Sequence, residues 1–116
     1  MKIFVICPVR NLTEEESYII KSHIIKLEKK GIKVHYPPRD TNQVDSIGFR
    51  ICTDNMVAIE LADEIHVFWN GKSKGSMFDL GMAFALGKKI KLINKLKSTE
   101  CKSFENVLLE LSRISK

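Results

Sequence analysis

Four short apolar runs rich in β-formers punctuate this chain, and each is followed by a stretch with helical spacing. The runs are residues 2–7, 33–36, 65–69 and 89–93. They alternate little between apolar and polar, the mark of strands covered on both faces. Thr13, with Glu16 three residues on, opens a first helix that Gly31 stops, with Ile20, Ile24 and Leu27 as its apolar stripe. Residues 37–43, with two prolines, read as loop rather than helix or strand. A second helix starts at Asp45 or Ser46 and runs to about Ala62, with Ile47, Ile51, Ala58 and Leu61 on its apolar side. Asp54 and Asn55 both lie near that stripe, and spacing leaves open which one faces the sheet. A third helix runs from Ser76 to about Leu86, and a last one is capped by Ser103 with Phe104, Val107, Leu108, Leu111 and Ile114 on one face.

Strand followed by helix, four times over, calls for a parallel sheet with right-handed crossovers. The expected fold is an α/β three-layer sandwich, flavodoxin-like or Rossmann-like. It has a four-stranded parallel sheet in the order 2-1-3-4 and helices on both faces. All 116 residues form one domain. Such sheets bind ligands beyond the carboxyl ends of their strands, here residues 8–11, 37–43, 70–75 and 94–97. Four strands and four helices make a thin core, so a homodimer or higher homo-oligomer is expected.

No apolar run approaches the roughly 20 residues of a membrane span. The first residues fit a strand better than a signal peptide, so a cytoplasmic location away from membranes is expected. Three cysteines without CxxC spacing point to a reducing compartment, and Cys7 reads as a small buried side chain rather than a nucleophile. The formal charge of +5 favours anionic partners. The lysines are dispersed without an aromatic platform, which argues for a small molecule and against long nucleic acid. His23 and His35 have no partner at metal spacing and His66 reads as core, so neither a metal nor a cofactor is expected.

Chemistry gathers in residues 62–93, where a Gly-containing basic loop leads from a strand into a helix. Backbone N–H groups left free at such a junction suit an anion or a sugar. Asp79, one turn into the helix, is the leading candidate. The competing reading makes Ser76 the N-cap and Asp79 its capping-box partner.

The stretch NMVAIELADEIHVFWNGKSKGSMFDLGMAFALGKKIKLI resembles the nucleoside 2-deoxyribosyltransferase family, nearest its 2′-deoxynucleoside 5′-phosphate N-hydrolase branch. That family carries Ala-Asp before a strand, then Ser-x-Gly-x-x-aromatic-Glu-Leu-Gly-x-Ala opening a helix. Here the second part reads Ser73-Lys74-Gly75-Ser76-Met77-Phe78-Asp79-Leu80-Gly81-Met82-Ala83. The turn Cys7-Pro8-Val9-Arg10 is similar to the family's first loop. The resemblance implies a nucleoside or nucleotide substrate whose anomeric carbon is attacked by a carboxylate. The nucleophilic glutamate falls on Asp79, and a second carboxylate falls on Asn55. The phosphate-holding serine falls on Ser73, and Pro8, Val9 and Arg10 border the sugar phosphate. Asn70, Gly75, Ser76 and Arg39 complete the expected binding set. The C-terminal segment through which the transferases complete a neighbour's site is not expected here. Asp79 is one methylene shorter than glutamate, and Asn55 cannot act as acid or base. Two readings follow: an N-glycosidase or transferase, and a nucleotide-binding protein that kept the pocket without the chemistry.

Overall fold

In the computed structural model, which describes residues 1–115, four parallel strands form one sheet in the order β2-β1-β3-β4. The elements are β1 (Lys2–Ile6), α1 (Glu14–Lys29), β2 (Lys33–His35), α2 (Pro37–Asp40), α3 (Phe49–Leu61), β3 (Glu64–Val67), α4 (Lys74–Ala85), β4 (Lys89–Leu92) and α5 (Phe104–Ile114). Register runs through Ile3 opposite Val34, Phe4 opposite Ile65, and Ile65 opposite Ile90. This is the expected α/β architecture and strand order.

The chain steps from β1 outward to β2, then back across β1 to β3 and on to β4. Right-handed crossovers therefore put α1 on one face and the helices that follow β2 on the other. Ile20, Ile24 and Leu27 of α1 pack on Ile3, Val5, Val34 and Phe68. On the opposite face, Ile59 of α3, Leu80 and Ala83 of α4 and Leu108 of α5 pack on Phe4, Ile6, Ile65, Val67 and Ile90. Both edge strands are short. β2 has three residues, and β4 has four with Lys89 and Lys91 exposed.

The local signals act as anticipated at α1, where Thr13 and Glu16 form a reciprocal capping box with both bonds at 3.0 Å. His66 is a satisfied core histidine: its Nδ1 lies 2.8 Å from Nε2 of His23 and its Nε2 lies 3.0 Å from Glu64. Trp69 is buried and donates its Nε1–H to Glu105.

Four expectations are corrected. Residues 37–40 form a single helical turn rather than loop, because prolines at its first positions need no intrahelical N–H. The turn is closed by Tyr36 N–H donating to the Asp40 carboxylate at 2.8 Å. The second predicted helix begins at Phe49, not beside Asp45. Gly48 takes the left-handed turn (φ 89°) ahead of it, while the Asp45 carboxylate still accepts from the N–H groups of Ile47, Arg50 and Ile51. The buried face of that helix is Asn55 and Ile59, continued by Ala62, whereas Ile47 is 87% and Leu61 59% exposed. Hydrophobic spacing misplaced the stripe because its central inward residue is polar. Finally, Phe104 and Ile114, read as part of the apolar face of the last helix, are exposed at its margins.

The rotated face of α3 gives a direct test. Ile59→Ala should lower unfolding free energy by roughly 2–5 kcal/mol through lost burial and a cavity, and Leu61→Ala by less than about 1 kcal/mol. Urea denaturation of both variants measures this, and a larger loss in Leu61→Ala than in Ile59→Ala would put the helix in the orientation read from spacing.

Candidate functional site

The strand order reverses between β1 and β3, so the chain leaves their carboxyl ends in opposite directions and a crevice opens between the two exits. A cavity of about 480 Å³ occupies it, within the range of small-molecule sites. The loop after β1 contributes Cys7, Pro8, Val9, Arg10 and Asn11. Asn11 holds a left-handed backbone (φ 59°), which asparagine tolerates better than most residues, and this turns the loop along the rim. The β3 exit contributes Asn70 and Lys72, and α3 contributes Ile51, Cys52 and Asn55. Pro37 and Gln43 close the third side, with the Gln43 amide donating to the carbonyls of Pro37 and Thr41.

The α4 N-terminus forms the remaining wall, through Ser73, Lys74, Gly75, Phe78 and Asp79. Ser73 is the N-cap: its Oγ accepts from Ser76 N–H at 3.1 Å. Its own O–H stays free to donate toward the cavity. Because the cap sits three residues earlier than the capping-box reading placed it, Asp79 falls in the second turn and caps nothing. Its side chain points into the cavity from a residue only 9% exposed.

Burial pushes the Asp79 carboxyl up to about 7, and the Asn55 amide beside it opposes that rise. The Cys7 thiol is pushed up to about 12, first by burial and then by the charge of Asp79. Burial and the same charge also raise Cys52. Neither cysteine is a thiolate at neutral pH, so neither is a nucleophile. Arg10, Lys72 and Lys74 bring three cationic side chains to the cavity lining, and Asp79 is its one carboxyl among the described residues.

Eight of the ten residues expected from the sequence line this cavity: Pro8, Val9, Arg10, Asn55, Asn70, Ser73, Gly75 and Asp79. Arg39 does not, and its expected ligand role is corrected. Its guanidinium donates to Glu28, Asp40 and the Val34 carbonyl, which ties it to the far side of α2. Ser76 is also corrected: it is 3% exposed and off the cavity wall, with an Oγ that has no hydrogen-bond partner. The ambiguity on α3 is resolved, since Asp54 is exposed and paired with Arg50 at 2.9 Å while Asn55 faces inward. Sequence reasoning missed Lys72 and Lys74 although they flank Ser73. It also missed Ile51 and Cys52, which lie one turn before Asn55 and follow from helical spacing once that residue is known to face in. Gln43 lies in the 37–43 stretch expected at the ligand edge but had no feature that singled it out.

No protein-family model matches the chain, and no curated protein matches it in sequence. Solved structures do. The Clostridium botulinum CMP N-glycosidase BcmB is 29% identical with a TM-score of 0.58, over 79% of this chain and 67% of that protein. A 2-deoxyribosyltransferase from Bacillus psychrosaccharolyticus is 23% identical with a TM-score of 0.63, over 79% of this chain and 71% of that one, a likeness of fold.

A carboxyl held at about 7 in the folded chain and at 3.8 when unfolded binds more protons when folded across that interval. Stability therefore falls as pH rises from about 4 to about 7, by on the order of 4 kcal/mol in all. Asp79→Asn should accordingly be more stable than the parent at pH 8 and near parity at pH 4. Thermal unfolding at the two pH values tests this, and no gain at pH 8 would mean that the carboxyl ionises without strain.

Proposed function

We propose that this chain, a nucleoside 2-deoxyribosyltransferase-like protein, is an enzyme that cleaves the N-glycosidic bond of a nucleoside 5′-monophosphate. The observation that carries the reading is one buried carboxyl, Asp79, at the wall of a cavity with a basic lining. The similarity to a CMP N-glycosidase supports hydrolysis over base transfer, and a nucleotide over a nucleoside.

In this reading the phosphate meets Arg10, Lys72 and Lys74, together with the Ser73 hydroxyl and N–H groups at the start of α4. The ribosyl group then lies between Asn55 and Asp79. An ionised Asp79 attacks the anomeric carbon, and the base leaves with the electrons of the broken C–N bond. Asn55 donates to the carboxylate or the sugar but transfers no proton. The departing base takes its proton from water at the open mouth. Water next hydrolyses the glycosyl ester, which releases the sugar phosphate and regenerates Asp79. Phe78, more than half exposed at the rim, offers a face on which a base can stack. A second reading, binding without turnover, is favoured by the amide at position 55 and by the proton that Asp79 holds for much of the time at neutral pH.

Incubation with a panel of ribo- and deoxynucleoside 5′-monophosphates, followed by product analysis, separates the two. Free base should appear with the parent chain and fall at least a hundredfold in Asp79→Ala. Because the attacking group must be ionised, the rate should climb as pH rises through about 7. Thermal stabilisation by a nucleotide without released base would establish the binding protein instead.

Self-association belongs to the same reading. α3 and α4 pack side by side and leave Phe49, Met56, Leu61, Phe78 and Phe84 exposed, more large apolar side chains than a solvated pair of helices ordinarily carries. Light scattering on the eluting protein should give a multiple of the 13.3 kDa chain mass, and a monomer at tens of micromolar would refute it.

A further inference from the structure

Behind Asn55, away from the cavity, runs a chain of side chains that the proposed reaction leaves unused. Thr41 is a buried hydroxyl, 4% exposed, and its Oγ1–H donates to Asn55 Oδ1 at 2.7 Å. The ring of His35 places its Nε2 2.8 Å from the same Thr41 oxygen. That ring is stacked on Phe4, 5.2 Å between centroids and 11° from parallel, so it has little freedom to turn. A hydroxyl has one proton. Since Thr41 spends it on Asn55, it can only accept from His35, which must carry its proton on Nε2. The chain thus has a single direction, from His35 N–H to Thr41 O–H to the Asn55 carbonyl oxygen.

An asparagine side chain whose oxygen is engaged on one side offers its NH₂ on the other. We propose that His35 and Thr41 are positioning residues of the site, holding the Asn55 amide with its N–H groups turned toward Asp79. The proposal rests on the functional reading above only for what Asp79 does; the chain from His35 through Thr41 to Asn55 is given by its distances, and Asn55 and Asp79 line the same cavity.

The physical consequence is selective stabilisation of the carboxylate. An amide donor aimed at Asp79 favours its ionised form, and an amide oxygen in that place would demand the protonated one. The interaction is between groups with little access to water, where hydrogen bonds act most strongly. Other charges are placed to modulate it. Asp40 and Arg39 on α2 and Asp54 on α3 face His35, and Lys2 and Lys33 border the shallow groove on which its ring opens. Arg10, Lys72 and Lys74 line the cavity on the Asp79 side, with Cys7 and Cys52 beside them. None of these supplies the hydrogen bond that fixes the amide. Without Thr41, the Asn55 oxygen is a buried acceptor lacking its donor, and the amide is free to turn over.

Titration of the Asp79 carboxyl carbon by NMR, identified by its loss in Asp79→Asn, tests the proposal independently of turnover. Thr41→Val, of nearly the same shape, should raise the midpoint by about one pH unit. Thr41→Ser should restore the parent value. His35→Phe, which keeps the stack on Phe4 and removes only the first donor, should shift it in the same direction by less. An unmoved midpoint in a folded Thr41→Val chain would overturn the proposal. If that variant does not fold, the parent protein alone decides through the ¹⁵N spectrum of the His35 ring at neutral pH. A proton on Nε2 supports the chain as described, and a proton on Nδ1 reverses it and overturns the proposal. The two readings fail separately. A shifted midpoint with no nucleotide cleaved would remove the proposed reaction and leave the positioning intact, and cleavage with an unmoved midpoint would do the opposite.

Discussion

The reversal of strand order between β1 and β3 is the constraint on which the rest of this molecule depends. Handedness allows each crossover only one face of the sheet, so a chain that turns back across its first strand must leave a gap where its paths diverge. Every element of the candidate site is an answer to that gap. The β1 exit supplies one lip, the β3 exit and the start of α4 supply the other, and α3 forms the floor with the residues of its inward stripe. Cys7, buried at the top of β1, shows how near the core comes to the cavity.

Asp79 sits where core and cavity meet, and the two environments make opposing demands. Apolar surroundings favour the neutral acid; the proposed attack on an anomeric carbon would need the anion. The Asn55 amide shifts the balance toward ionisation, while the cationic groups lie farther out, where a phosphate is better placed to neutralise them. The result is a group poised between its two forms near neutral pH, a common condition of reactive carboxyls and a destabilising one for the fold.

Much of this was legible in the sequence. Apolar runs separated by helical spacing gave the sheet and its order, because handedness and compactness leave few other arrangements. The Ser73-to-Ala83 motif located the α4 wall, and eight of ten named residues reach the cavity. The failures have separate physical causes. Helix faces were assigned from apolar side chains, and α3 turns a polar residue inward, so the stripe was read rotated and the choice between Asp54 and Asn55 stayed open. Arg39 was placed by its loop, but its partners come from α1 and its own neighbour, contacts that no local pattern announces. The cap of α4 was set at Ser76 when a second serine three residues earlier competed for it, and only the backbone decides between two such candidates.

The edges of the sheet carry a different consequence. A parallel sheet of four strands has two open sides, each a row of unpaired backbone groups able to recruit a further strand and begin fibrous growth. Here one side is a strand of three residues and the other is lined by Lys89 and Lys91, whose like charges would meet their own copies across any such junction. Growth by strand addition is thereby disfavoured. Short, charged edges of this kind restrain sheet-to-sheet growth in a chain whose helices leave several large apolar side chains exposed.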